Sequence, residues 1–133
     1  MAEKEFRNCF VCGKDNPIGL KLDFYSQDNS AWCLWETHQN FEGYPEIMHG
    51  GIIATLLDEV MAKAILSGEQ TAVTRELSIK YLKPALLNKT YKVFGQIVRQ
   101  RKKIIECTAH ICDTEDETHL IATACATYWQ TDI

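Results

Sequence analysis

Two adjacent glycines, Gly50 and Gly51, follow His49, and Asp58 stands seven residues after the second of them. Glycines let a ligand approach the backbone closely. Where a helix starts at such a pair, its first N–H groups lack partners and its macrodipole adds partial positive charge. An acyl carbonyl turning into an oxyanion is stabilised by donors of that kind. A carboxylate can serve the same acyl transfer as general base or nucleophile. Two plainer readings stand beside these: the glycines ease the chain into a helix, and Asp58 is a solvated helix carboxylate. Local chemistry alone does not decide.

A second candidate is the C-x-x-C of Cys9 and Cys12, in a chain whose other cysteines are Cys33, Cys107, Cys112 and Cys125. Structural zinc takes four ligands, and no second C-x-x-C or His/Cys pair supplies the other half. No metal and no cofactor are therefore expected. Free cysteines outside an oxidising compartment commonly behave as small buried apolar groups.

Asp58 needs an element to position it. Ile52, Ile53, Leu56, Leu57, Val60, Met61, Ala64 and Ile65 recur at i, i+1, i+4 and i+5. That spacing predicts a helix of about four turns over 52–66 with one wide apolar stripe, stopped by Gly68. With Ile52 at zero and ~100° per residue, the stripe centres near ~100°, Gly51 falls near ~260° and Asp58 near ~240°. Asp58 therefore shares a face with the glycine, while Glu59, near ~340°, lies on the other flank. Seven residues of helix span ~10 Å, too far for both groups to touch one carbonyl at ~3 Å. Two helices running antiparallel across a dimer axis would bring Gly51 of one to Asp58 of the other. A site shared between subunits is the expectation.

The remaining segments read as strands and turns. Leu20, Leu22 and Phe24 alternate with polar residues, and 31–37 completes a hairpin after a turn at 28–30. Residues 38–48, with Asn40, Gly43 and Pro45, form a loop. Further strands are expected at 71–82, 91–98, 104–112 and 120–130, with a basic tip of Arg99, Arg101, Lys102 and Lys103 and an acidic turn over 113–117. Two strands, a long helix and four strands describe an α+β domain whose helix covers one face of an antiparallel sheet. Tyr91, Val93 and Ile97 compete with Phe94 and Val98 for the core side, and the sheet edges need cover. Dimerisation answers both.

The 133 residues suit one domain, 1–133, with 1–18 as a polar lead-in. A formal charge of −4 argues against a nucleic-acid partner. No apolar run approaches the ~20 residues that span a bilayer, and residues 1–7 lack the apolar stretch of a secretory signal. A cytoplasmic protein without a membrane partner is expected.

The segments NCFVCG (8–13), NPIGL (16–20), FEGYP (41–45), HGGIIATLLDE (49–59) and LSIKYLKP (77–84) resemble the PaaI-like acyl-CoA thioesterases of the hotdog superfamily. H-G-G by itself is short. An aspartate nine residues after its histidine, on one amphipathic helix followed by this strand, makes the resemblance far more specific. It implies an antiparallel sheet wrapped around one long central helix, a back-to-back homodimer and often a tetramer, with acyl-CoA as substrate. It implies that the Gly51 N–H polarises the thioester carbonyl and that Asp58 of the opposite subunit acts as general base or nucleophile. Thr74 matches a hydroxyl that holds the water or carboxylate, and His49 the residue that shapes the loop. Gly50, Tyr44 and Asn40 would line the substrate. Tyr44 stands where some relatives carry an asparagine that donates a second hydrogen bond to the carbonyl, and Asn40 lies further back. Arg75, Lys80, Lys83 and the 99–103 cluster could meet the CoA phosphates. Three other readings compete. A non-catalytic acyl-CoA-binding hotdog protein would bind without turnover. A hotdog dehydratase or isomerase would need a His/Asp or His/Glu arrangement that this chain lacks. The third is a zinc-binding interaction module built on Cys9 and Cys12.

Overall fold

The computed structural model describes residues 6–132. Residues 1–5, most of the 1–7 stretch without an apolar leader, lie outside the described residues, as does Ile133. The elements are β1 (Tyr25–Gln27), β2 (Ser30–Glu36), a 3-10 turn (Gln39–Phe41), α1 (Gly50–Leu66), β3 (Thr71–Tyr81), β4 (Thr90–Arg101), β5 (Ile104–Asp113) and β6 (Leu120–Thr131). The strands form one antiparallel sheet in the order β1-β2-β4-β5-β6-β3. α1 packs against one face of it. The expected α+β architecture, a sheet wrapped around one long helix, is what the chain adopts. No helix among the described residues is long and apolar enough to cross a membrane.

The apolar stripe of α1 accounts for this packing. Ile53, Leu56, Leu57, Val60, Met61, Ala64 and Ile65 are buried, against Trp35, Tyr91, Val93, Ile105, Ile111 and Tyr128 from the sheet. Gly95 on β4 is a point of close approach between helix and sheet. A Cβ there would stand 3.0 Å from Val60 Cγ1 and 3.1–3.2 Å from helix backbone atoms of Val60 and Met61. Alanines 109, 122, 124 and 126 on β5 and β6 are also buried in this core. The competition on β4 resolves in favour of Tyr91 and Val93, both buried. Val98 falls where the β4–β5 register shifts, between Ile97 and Arg99, and is 53% exposed. Phe94 turns outward beside Trp32 and His110, its cross-strand neighbours.

Two expectations need correction. Residues 20–24 do not join the sheet. The Leu20 and Leu22 N–H groups bond to Phe10 and Val11 carbonyls instead, so their alternation reflects packing of this stretch against the N-terminal turn. The helix stops without a left-handed glycine: Ser67 caps it in right-handed geometry, and Glu69 takes the positive φ of 63°.

The close approach at Gly95 can be tested. Gly95→Ala should lower stability by about 1–3 kcal/mol, the usual cost of overpacking a core, because the atoms it meets include helix backbone. Urea denaturation reads the difference, and an unchanged midpoint would show that α1 does not lie this close to β4.

Candidate active site

The helix begins at the glycine pair, and His49 is its N-cap. The imidazole Nδ1 accepts the Gly51 N–H at 2.8 Å, while the His49 carbonyl accepts the Ile52 and Ile53 N–H groups at 3.1 and 3.2 Å. Gly51, expected to face an acyl carbonyl, thus has its N–H on the motif histidine. His49 caps the start of the helix through both its side chain and its carbonyl. Crowding explains the second glycine, since a Cβ on Gly51 would stand 3.1 Å from His49 Nδ1. The Gly50 carbonyl accepts the Tyr81 hydroxyl at 2.7 Å. Tyr44, Met48, His49 and Gly50 border an open hollow of about 570 Å³. Tyr44 is 81% exposed at its rim. Asn40 is not among the residues bordering it; its N–H caps onto His38 Nδ1 in the 3-10 turn.

Asp58 sits two turns further along α1, half-buried. One of its oxygens, Oδ1, accepts two hydroxyls: Thr74 Oγ1 at 2.8 Å and Tyr128 Oη at 2.7 Å. Tyr128 also donates to the Asp58 carbonyl at 2.9 Å. Among the described residues no donor reaches Oδ2. A carboxylate fixed through one oxygen presents the other in a set direction, which is what a base or nucleophile requires. Burial first, and then the charge of Asp58, hold the Tyr128 phenol well above its ordinary range, so it remains a donor. Glu59 turns elsewhere, with Lys63 Nζ at 3.7 Å and Cys9 Sγ at 3.6 Å. The two neighbouring acids are separated as the helical angles predicted.

A β-bulge lets two hydroxyls of one strand reach the same helix. Thr74 lies opposite Tyr128 in the β3–β6 ladder, and the register shifts between Thr74 and Glu76. Arg75 is the extra residue. Side chains alternate across a strand, so an unbulged β3 could not turn both residues 74 and 81 toward α1. With the bulge, Ala72, Leu77 and Ile79 pack on the core, Thr74 reaches Asp58 and Tyr81 reaches Gly50.

The proposed phosphate contacts are less gathered. Arg75 is exposed at the bulge with Nη1 3.3 Å from Thr127 Oγ1. Lys80 alternates with the core-facing Ile79 and so points away from the helix. Lys83 Nζ approaches His119 Nδ1 at 3.4 Å. In the basic tip, Arg99 is paired with Glu106, and Lys102 occupies the turn with φ 57°. Sequence reasoning missed Tyr128 and Tyr81. The signal for Tyr128 was available: it continues the inward parity of Ala122, Ala124 and Ala126, and a buried phenol needs a partner.

Residues 46–119 match the family described as the thioesterase superfamily. The chain is 34% identical over 104 residues to the acyl-coenzyme A thioesterase THEM4 of Rattus norvegicus, covering 76% of this chain and 44% of that protein. It thus spans less than half of that relative's length. The PaaI protein from the phenylacetic acid degradation operon of E. coli superposes with a TM-score of 0.79 at 20% identity, covering 91% of this chain and 84% of that one. A hypothetical thioesterase of Streptococcus pneumoniae, solved with coenzyme A, gives 0.77 at 22% identity, covering 83% and 85%. That protein has also been solved with alanine replacing an aspartate and, separately, a threonine sixteen positions later. These likenesses identify the fold as the hotdog fold.

The hydroxyl pair on Asp58 generates a stability prediction. Tyr128→Phe deletes both phenol bonds and should cost about 1.5–3 kcal/mol, the range for a hydrogen bond to a charged group. The native chain keeps the phenol proton above pH 10.0, the ordinary value, where the unfolded chain releases it. The unfolded state then binds fewer protons, so this group makes stability fall as pH rises through that region. Urea midpoints of Tyr128→Phe should decline less steeply there than those of the parent. Parallel declines would mean that the phenol is not held as described.

Proposed function

The chain belongs to the thioesterase superfamily, and on that premise we propose that it hydrolyses an acyl-CoA thioester to the free acid and CoA thiol. The observation that carries this reading is the Asp58 carboxylate, held at Oδ1 by Thr74 and Tyr128 with Oδ2 left open. Asp58 and Thr74 are sixteen residues apart, the spacing of the aspartate and threonine replaced in the pneumococcal thioesterase. In the proposed reaction Oδ2 takes a proton from water as the water oxygen attacks the thioester carbon. The carbonyl oxygen becomes an oxyanion, stabilised by the Gly51 N–H of a second copy and the positive end of its helix. Collapse breaks the C–S bond, and the proton passes from Asp58 to the leaving sulfur. Attack by Oδ2 itself, through an anhydride that water then opens, uses the same groups.

The second copy is required by length, because Gly51 and Asp58 lie ~10 Å apart on one helix. β3 is an edge strand of eleven residues with Val73 and Tyr81 exposed, and an edge of that length calls for cover. We propose that two copies meet along it, which sets their helices side by side, with further pairing to a tetramer. For the bound carbonyl, Gly51 exchanges His49 Nδ1 for the substrate oxygen. Arg75, beside Thr74, is the basic residue best situated for a CoA phosphate.

Hydrolysis of short, long and aromatic acyl-CoAs, followed with a thiol reagent, tests the activity. At least one should turn over, and Asp58→Asn should lower that turnover by about 10²-fold or more, the low end for a lost general base. Binding of acyl-CoA without thiol release would favour the non-catalytic binding protein. Gly51→Val should also be inactive through crowding. Mixing Asp58→Asn with Gly51→Val subunits should restore activity, since some dimers regain one intact site. Heterodimers seen by native mass spectrometry that stay inactive would refute a shared site.

A further inference from the structure

One residue beyond Asp58, Glu59 faces the N-terminal turn rather than the proposed active site. The Cys9 Sγ, the Cys12 Sγ and a Glu59 carboxylate oxygen all lie within 4.8 Å of one another, each half-buried. Lys63 Nζ donates to Cys12 Sγ at 3.1 Å and sits between the rings of Phe6 and Phe24, 4.9 and 5.8 Å from their centroids. We infer that Cys9, Cys12 and Glu59 form a binding site for a thiophilic divalent cation, zinc above all, which ties the N-terminal turn to α1. This inference does not depend on the proposed hydrolysis.

Geometry, charge and ligand chemistry each support it. Zn–S bonds of ~2.3 Å and Zn–O bonds of ~2.1 Å set the edges of a tetrahedral site at about 3.5–3.8 Å. Cys9 Sγ and Glu59 Oε2, 3.6 Å apart, already stand at that spacing, and no pair of the three atoms exceeds 4.8 Å. The two thiols come from one rigid turn. The Gly13 N–H bonds the Cys9 carbonyl at 2.9 Å, and a Cβ on Gly13 would lie 2.4 Å from Arg7 O and Cys9 N, so the turn admits no side chain there. The third ligand is fixed by the helix, fifty residues away in sequence. That distance explains why two cysteines looked like half a site.

Two thiolates and a carboxylate outweigh a divalent cation by one negative charge, and the Lys63 ammonium cancels it. Its hydrogen bond to Cys12 is of the outer-shell kind that orients a ligating group. A hollow of about 160 Å³ bordered by Cys9, Glu59 and Lys63 leaves room for water as the fourth ligand. Thiolate with carboxylate is a donor set for zinc rather than for calcium or magnesium, which take oxygen. Binding would release the thiol protons, as thiolate ligation requires.

The test uses the full chain, reduced with a phosphine, stripped with chelator and titrated with zinc or cobalt(II). One zinc per chain should bind and raise the melting temperature, since a ligand of the native state stabilises it. Cobalt should give the thiolate charge-transfer band and the d–d bands of a tetrahedral site. Cys9→Ser, Cys12→Ser and Glu59→Gln should each weaken binding at least about tenfold, the scale seen when a metal site loses even a supporting group. Cys125→Ser, which alters an exposed thiol, should leave it unchanged. Absence of the charge-transfer band in the reduced parent chain would overturn the inference, and so would a band that survives Cys12→Ser. The parent titration stands even if a variant fails to fold.

Discussion

The contact between α1 and the sheet is what everything else in this chain rests on. A helix with an apolar stripe this wide must bury it, and Gly95 together with small inward residues of β5 and β6 lets the backbone come close. Close seating fixes more than stability. It sets the rotation of the helix, and rotation decides that Asp58 faces Thr74 and Tyr128 while Glu59 faces the cysteines. Turn the helix by one residue and neither acid keeps its own partners: one is carried into the other's place and an apolar neighbour, Leu57 or Val60, fills the place left behind.

The bulge at Arg75 is the matching device in the sheet. A regular strand presents one parity of side chains to the helix, yet here the upstream half contributes an even residue and the downstream half an odd one. The helix is therefore held by hydroxyls at its start, through Tyr81, and at its middle, through Thr74. β3 can dock against α1 at two points and still continue as an edge strand.

Much of this was legible in the sequence. The stripe over 52–66 marked the helix within two residues of its observed start, because its burial is a property of α1 alone. The four later strands were legible for the same reason: alternation and turn residues are local. What stayed hidden depends on pairs distant in the chain. Tyr128 meets Asp58 across seventy residues, and Cys9 meets Glu59 across fifty. Residues 20–24 carry a strand-like alternation that the N-terminal turn claims, since a two-residue period reports a half-buried extended segment whatever it packs against.

The His49 cap bears on how the proposed oxyanion donor would discriminate. An acceptor already occupies the Gly51 N–H, so any incoming oxygen gains only the difference between its own hydrogen bond and the one it displaces. A neutral thioester carbonyl is a modest acceptor, and the exchange with the imidazole nearly cancels. As negative charge gathers on that oxygen the difference grows, because hydrogen bonds to ionised acceptors are roughly twice as strong. In the proposed reaction the imidazole would act as a threshold, withholding the donor's benefit from the ground state and releasing it as the barrier is climbed. Binding energy spent in that way accelerates a reaction instead of merely tightening its substrate.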